Sequence, residues 1–143
     1  MNSSLTLEYT VPGDDFTRAG EASGSVKKTL KQLGFPADVI RKVAIALYEG
    51  EINMVIHAGG GTLQAMISED HVDLVVKDEG PGIADISKAM TAGYSTATEQ
   101  AREMGFGAGM GLPNIKRNSD TFEIESEVGK GTTLRSTVFF NKN

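Results

Sequence analysis

The chain has 143 residues, a formal net charge of −5, no cysteine and 39% hydrophobic residues. This length suits one domain with a single core, so we expect residues 1–143 to form one domain. The absence of cysteine excludes disulfides and thiolate metal sites, and the negative charge argues against nucleic acid as a partner. No apolar run approaches the ~20 residues of a membrane span, and the N-terminus lacks the features of a signal peptide. We therefore expect a cytoplasmic protein without a membrane partner.

The first part of the chain predicts a strand followed by a helix. Alternating apolar and polar residues predict the strand over residues 5–11. The helix is predicted from about residue 16 to residue 33, and it ends before Gly34. Its apolar positions at helical spacing are Val26, Leu30 and Leu33. Its basic positions, which we expect in solvent, are Lys27, Lys28 and Lys31.

A second helix is predicted from Pro36 to about His57, and it is apolar on nearly all sides, which is typical of a buried helix. Glu49, Glu51 and Asn53 are polar residues inside its C-terminal half. Burying such groups without partners costs free energy, so each of them needs an explanation. Gly50 lies among them and is unfavourable in a helix by about 1 kcal/mol relative to alanine. We interpret it as a site of close packing.

The rest of the chain predicts a hairpin, two short helices and two further strands. The hairpin strands cover residues 62–68 and 72–78, the helices 83–92 and 112–118, and the last strands 122–124 and 134–140. The glycine-rich segment over 93–111 is too irregular for a core element and predicts a loop or lid. The expected fold class is α+β, a two-layer α/β sandwich with an antiparallel or mixed sheet and helices packed on one face.

Glu49 and Asn53 are four residues apart and lie on the same face of the second helix. An asparagine oxygen is a suitable Mg²⁺ ligand, and a neighbouring carboxylate could take a proton from an attacking hydroxyl or orient a water. Glu51 is rotated by about 200° around the helix, so it should point elsewhere. A polar patch where the helix reaches solvent is an alternative that the spacing leaves open.

Asp78 ends a predicted strand and is followed by Glu-Gly-Pro-Gly. A carboxylate in this position could accept a hydrogen bond from the adenine amino group. Gly80 and Gly82 would let the backbone come close to a flat base. Because the same residue types form turns, a simple turn that ends the strand is the alternative.

Closely spaced glycines precede the helix that starts at Leu112, namely Gly105, Gly107, Gly109 and Gly111. Exposed backbone N–H groups and a helix N-terminus together favour a phosphate site, with a flexible loop as the alternative. The segment is not a Walker A motif, because Gly-Lys-Ser/Thr does not follow. His57, one turn after Asn53, could contact phosphate or be structural.

In this order, the motifs resemble those of the GHKL ATPase superfamily, whose members share the Bergerat ATP-binding fold. The similar segments are 49–53 (N box), 78–82 and 107–111 (two glycine boxes), and 131–133 (a Gly-Thr element). The resemblance covers roughly residues 5–140. The chain is most similar to the small stand-alone anti-sigma-factor and stressosome-switch serine/threonine kinases of bacteria, because it contains the ATP-binding domain alone. Residues 109–132 are especially similar to the stressosome-switch type.

The resemblance implies ATP and Mg²⁺ as cofactors. Glu49 would be the catalytic carboxylate and Asn53 the metal ligand, while Asp78 would bind the adenine amino group. The backbone of residues 107–111 would hold the phosphates. The full set implied to contact the nucleotide is Asn53, His57, Asp78, Gly80, Gly82, Ile83, Arg102, Gly107, Ala108, Gly109, Met110, Gly111, Leu112 and Thr132.

The function implied by the resemblance is that of an ATP-dependent serine/threonine protein kinase in a partner-switching circuit, of the kind that serves stress responses. Its substrate would be a small STAS-type antagonist protein, and its output partner a sigma factor or a phosphatase. A homodimer is left open. Two alternatives remain: a non-catalytic module that binds a sigma factor or other partner when ATP is bound, and a histidine-kinase-like domain acting in trans.

Overall fold

The computed structural model describes residues 5–12, 20–55, 60–80 and 111–140. The described elements are β1 (Leu5–Pro12), α1 (Glu21–Gln32), α2 (Ala37–Asn53), β2 (Gly60–Ile67), β3 (His71–Lys77), α3 (Gly111–Arg117), β4 (Thr121–Glu127) and β5 (Gly131–Phe139). The helix predicted over 83–92 and all but the last residue of the loop predicted over 93–111 lie outside the described residues. None of the described helices is long and apolar enough to cross a membrane.

The described strands form one sheet in the order β1-β2-β3-β5-β4, and each of their pairings is antiparallel. The predicted hairpin is β2 and β3, with Leu63 opposite Val76 and Ala65 opposite Leu74. Alternate residues of these strands are buried, as the sequence pattern predicted: Leu63, Ala65 and Ile67 on β2, and Val72, Leu74 and Val76 on β3.

The helices cover one face of the sheet, and the other face is mostly polar. Val26 and Leu30 of α1 and Val43 and Leu47 of α2 are completely buried in the core that the helices share with the sheet. One row across the strands on the opposite face consists of Gln64, Val75, Arg135 and Glu123, of which only Val75 is apolar. The predicted two-layer α+β sandwich is therefore confirmed.

Helix α1 differs from the prediction at both ends. Its first helical residue is Glu21, because Gly20 has a φ of 100° and interrupts the helical geometry, and residues 16–19 of the predicted helix lie outside the described residues. Leu33 was predicted on the apolar face, but it follows the last helical residue and is 52% exposed. The three basic side chains are exposed, as expected: Lys27, Lys28 and Lys31.

Gly50 lets helix α2 lie directly against strand β3. A Cβ atom at Gly50 would be 3.0 Å from Cγ2 of Val76, which is tighter than an ordinary van der Waals contact. The interpretation of this glycine as a site of close packing is therefore confirmed. Since Asp78 follows Val76 by two residues, the same contact brings the helical turn of Glu49 to the end of β3 where Asp78 lies.

Candidate nucleotide-binding and catalytic site

Asp78 lies directly after β3 and is fixed by backbone hydrogen bonds. Its Oδ1 atom accepts hydrogen bonds from the backbone N–H groups of Gly80 at 2.9 Å and Thr132 at 3.2 Å. The N–H group of Asp78 donates to the carbonyl oxygen of Thr132 at 2.9 Å. Both of these hydrogen bonds are accepted by the same carboxylate oxygen, Oδ1. A carboxylate held in one orientation in this way is suited to accept a hydrogen bond from an amino group.

Gly131 allows the start of β5 to approach Asp78. It has a φ of 124°, and a Cβ atom there would overlap the carbonyl oxygen of Asp78 and lie 2.8 Å from Cα of Glu79. Ser126 of β4 stands opposite Thr132 in the strand register. Their hydroxyl groups are hydrogen-bonded at 2.8 Å, and the Ser126 hydroxyl also donates to the Gly131 carbonyl at 3.1 Å. Ser126 could not be assigned a partner from the sequence, because only the strand pairing reveals it.

Glu49 is half-buried near the end of α2, and Asn53 is the last residue of that helix. Burial raises the pKa of Glu49 above its usual value, and a hydrogen bond with the Asn114 side chain opposes this effect by lowering it. A carboxylate with a raised pKa is a stronger proton acceptor when it is ionised. This environment therefore fits a general base.

Asn114 belongs to α3, the helix that begins at Gly111 after the glycine-rich segment. Its Oδ1 atom accepts a hydrogen bond of 3.4 Å from Nη1 of Arg117, one turn later. The sequence analysis gave Asn114 no role. The sequence offers one indication of where Asn114 lies. It falls between Leu112 and Ile115 in a short helix, and both of these apolar side chains are buried.

Glu51 has a different set of partners from Glu49. It is 2% exposed, and its carboxylate accepts hydrogen bonds from the backbone N–H groups of Gly20, Ala22 and Ser23 at 3.0, 3.2 and 2.9 Å. These groups lie at the N-terminus of α1, where N–H groups have no partner within the helix. The negative charge also suits the positive end of the helix dipole. The prediction that Glu51 points away from the face of Glu49 is therefore confirmed.

Of the predicted site residues that the structure describes, Asp78, Gly80 and Thr132 come together at one end of the sheet. Glu49 and Asn53 are at the end of α2, Asp78 and Gly80 follow β3, Thr132 lies near the start of β5, and Gly111 and Leu112 open α3. The predicted residues outside the described part are His57, Gly82, Ile83, Arg102, Gly107, Ala108, Gly109 and Met110. The roles assigned to both groups stay predictions.

The Mg²⁺ prediction depends on Asn53. Among the described residues, no group of three or more histidine or acidic side chains could hold a metal ion. An asparagine oxygen nevertheless fits this ion, because Mg²⁺ at nucleotide sites takes few protein ligands and completes its coordination with phosphates and waters.

Comparison with known proteins agrees with this fold. The profile of the histidine kinase-like ATPase domain matches residues 14–138. The chain is 35% identical over 117 residues to the anti-sigma F factor of Caldanaerobacter subterraneus subsp. tengcongensis, covering 78% of each chain. It is 32% identical over 114 residues to the serine/threonine-protein kinase RsbT of Bacillus subtilis, covering 77% of this chain and 80% of that protein.

A third relative is similar over more of its length. The anti-sigma F factor of Geobacillus stearothermophilus is 31% identical over 142 residues, covering 94% of this chain and 90% of that protein. The chain therefore belongs to the histidine kinase-like ATPase domain family. The resemblance drawn from the sequence motifs is confirmed, and membership of an ATPase family implies that the chain binds ATP.

Proposed function

We propose that this protein is an ATP-dependent serine/threonine protein kinase and regulatory switch. It would phosphorylate a small STAS-type antagonist protein and control a sigma factor or another output partner. The observation that carries the proposal is the half-buried Glu49, which lies one helical turn before Asn53 on α2. Relatives named as an anti-sigma F factor and as a serine/threonine-protein kinase support both parts of the proposal. A cytoplasmic location belongs to the same proposal.

In this reaction, different residues of the chain would have different roles. Bound ATP would supply the phosphoryl group, and Mg²⁺ would neutralise phosphate charge. Asn53 would hold the metal through its amide oxygen, and Asp78 would accept a hydrogen bond from the adenine amino group. Glu49 would accept the proton of the serine or threonine hydroxyl of the substrate. Its raised pKa suits this role, because the efficiency of a base increases as its pKa approaches the working pH.

A second candidate is a non-catalytic module that binds its partner only when ATP is bound. The relatives named anti-sigma F factor favour it, since holding a sigma factor requires a binding surface and no phosphoryl transfer. The two candidates use the same nucleotide site. They differ in whether Glu49 acts on a bound substrate.

The decisive experiment measures transfer of label from γ-labelled ATP, with Mg²⁺, into a lysate of the source organism. The wild-type protein is compared with Glu49→Gln, which keeps the size of the side chain and removes its ability to take a proton. Glu123→Gln is the matched control, because Glu123 is exposed on β4. Calorimetric titration with ATP shows whether each variant still binds nucleotide.

An acid-stable label on a small protein, present with wild type and Glu123→Gln and absent with Glu49→Gln, supports the kinase and yields the substrate for sequencing. If the protein binds ATP but no labelled product is lost in Glu49→Gln relative to wild type, the binding module is favoured. A nucleotide-dependent pull-down then tests that candidate. An acid-labile label contradicts a serine/threonine kinase and points to phosphohistidine.

A further inference from the structure

The buried carboxylate of Glu51 joins the last turn of α2 to the start of α1. Its Oε2 atom accepts from the N–H groups of Gly20 and Ala22, and its Oε1 atom accepts from the N–H group of Ser23. Gly20 precedes the first helical residue of α1 and provides no side-chain cap of its own. The acceptor for these N–H groups therefore comes from a second helix, and both oxygens of the Glu51 carboxylate are used.

The turn of α2 that Glu51 anchors is the one that carries the proposed base and the proposed metal ligand. Glu51 lies between Glu49 and Asn53 in the chain, and α2 ends at Asn53. Helix ends fray, because their last carbonyl groups have no partner within the helix. Two residues along a helix correspond to a rotation of about 200°, so Glu51 can hold this turn from the core side without entering the site.

A second contact joins the start of α1 to the same part of α2. A Cβ atom at Gly20 would be only 3.1 Å from Cε1 of Tyr48, so the Gly20 backbone lies close to the Tyr48 ring. Tyr48 directly precedes Glu49 in the chain, and Glu51 follows it by two residues. The start of α1 thus contacts α2 on both sides of Glu49 along the chain.

We propose that Glu51 is a positioning residue, which holds the last turn of α2 against the start of α1 so that Glu49 and Asn53 keep a fixed position. The inference rests on the proposed function, in which these two residues act on the substrate hydroxyl and the metal ion. Glu51 is 2% exposed and would act only through the turn that it anchors. Positioning of this kind matters for rate, because a displacement of about 1 Å can cost about a hundredfold.

Two substitutions of similar size grade the loss of the anchor. Glu51→Gln leaves one acceptor oxygen and directs an NH₂ group at an N–H group of α1, so at least one of the three hydrogen bonds is lost. Glu51→Met fills a similar volume and removes all three. Val26→Ala is the control for lost stability, because Val26 is a completely buried residue of α1 that takes no part in the cap.

The first measurement is hydrogen exchange of the backbone amides of the full chain, followed by NMR. In Glu51→Met we expect protection of the amides of residues 49–53 to fall about tenfold more than protection of residues 43–47 in the middle of α2. Glu51→Gln should show the same pattern to a smaller extent. Val26→Ala should not lower the protection of the last turn selectively.

The second measurement is calorimetric titration with ATP, in the presence and absence of Mg²⁺. Displacement of Asn53 should reduce the gain in ATP affinity that Mg²⁺ provides, by about tenfold in Glu51→Met. Affinity without Mg²⁺ should change less, because Asp78 is held separately by Gly80 and Thr132. With the protein substrate found by labelling, kcat per ATP-binding site should fall about tenfold or more, and Val26→Ala should keep the wild-type value.

A substitution on the other helix tests the same connection. Gly20→Ala strains a backbone with a φ of 100° and presses on Tyr48, so it should disturb the start of α1 without changing Glu51. Its effect on the exchange of residues 49–53 should be largely absent when Glu51→Met is already present, because both changes break one connection. Fully additive effects would contradict the inference.

The inference is overturned if the two Glu51 variants show the exchange pattern of Val26→Ala, or if kcat per ATP-binding site is unchanged in Glu51→Met. In either case Glu51 would only stabilise the fold. Should Glu51→Met not fold, Glu51→Gln and Gly20→Ala provide the same comparison. A wild-type protein that binds ATP without transferring phosphate would contradict the proposed function. The exchange pattern would still decide whether Glu51 holds the last turn, because it requires neither substrate nor nucleotide.

Discussion

Asp78 and Thr132 lie 54 residues apart in the chain and are joined by two hydrogen bonds. The carboxylate of Asp78 accepts from the N–H group of Thr132, and the N–H group of Asp78 donates to the carbonyl of Thr132. The pair ties the end of β3 to the start of β5. It fixes the carboxylate before any ligand binds, which lowers the cost of ordering it on binding.

Asp78→Asn is expected to weaken ATP binding about tenfold to a hundredfold. The asparagine oxygen can still accept from Gly80 and Thr132, so the local fold should survive, but an amide NH₂ would replace the acceptor offered to the adenine amino group. Calorimetric titration with ATP measures the change. Asp73→Asn is the control, because Asp73 lies on β3, the strand that Asp78 follows, and accepts a hydrogen bond from Thr137 at 2.6 Å. Affinity within twofold of wild type would contradict the role of Asp78.

Glu51→Ala is expected to lower the free energy of unfolding by about 2–4 kcal/mol, because three backbone N–H groups at the start of α1 would lose their acceptor. Chemical denaturation followed by circular dichroism measures the change. Glu123→Ala, which removes an exposed glutamate from β4, should alter stability by no more than about 0.5 kcal/mol. Equal stability of the two variants would show that the cap contributes little.

Glu49→Gln is expected to stabilise the fold at neutral pH. Because the pKa of Glu49 is raised in the folded protein, chiefly by burial, the folded state binds this proton more tightly than the unfolded state. The ionised Glu49 side chain therefore lowers the free energy of unfolding. This destabilisation is absent below the ordinary glutamate pKa and grows as the pH rises through the pKa of the folded protein. Chemical denaturation at several pH values should show that Glu49→Gln is more stable than the wild-type protein at neutral pH, and that this difference disappears in acid. An advantage that is the same at every pH would argue against the raised pKa.

If Glu49 is the proposed general base, the same protonation would control activity. Glu49 accepts a proton only when it is ionised, so phosphoryl transfer should fall in acid, starting at a higher pH than an ordinary glutamate would require. The pH profile of kcat in the wild-type protein measures this decrease in rate at low pH. A rate that persists unchanged down to the usual glutamate range would exclude Glu49 as a base with a raised pKa.

Gly50→Ala is expected to destabilise the protein by about 1 kcal/mol despite the better helix propensity of alanine, because its Cβ would press on Val76. Gly24→Ala is the matched control. Gly24 is also helical, and a Cβ there would meet nothing within 4 Å, so this variant should be stabilised by about 0.5–1 kcal/mol. Adding Val76→Ala should reduce the cost of Gly50→Ala, and equal effects in both backgrounds would contradict the contact.

Most of the fold could be predicted from local patterns. Alternation of apolar residues in 62–68 and 72–78 identified the hairpin and its buried face. Successive side chains of a strand point to opposite faces of the sheet, so the buried face appears in the sequence as every second residue. The start of α1 could not be predicted in this way. Its boundary depends on the φ of Gly20 and on an acceptor, Glu51, that lies 31 residues away from Gly20 in the chain. Leu33 was misplaced because periodicity does not mark where a helix ends.

The sequence by itself determined the family and the candidate chemical groups: Glu49 and Asn53 one helical turn apart, and Asp78 before two glycines. These depend on spacing within one element, which the chain shows directly. Only the tertiary structure decided the partners of the acidic groups: Thr132 for Asp78 and the start of α1 for Glu51. Each of these contacts joins segments far apart in the chain. Which polar groups meet depends on how helices and strands pack, and periodicity within a single element carries no information about that.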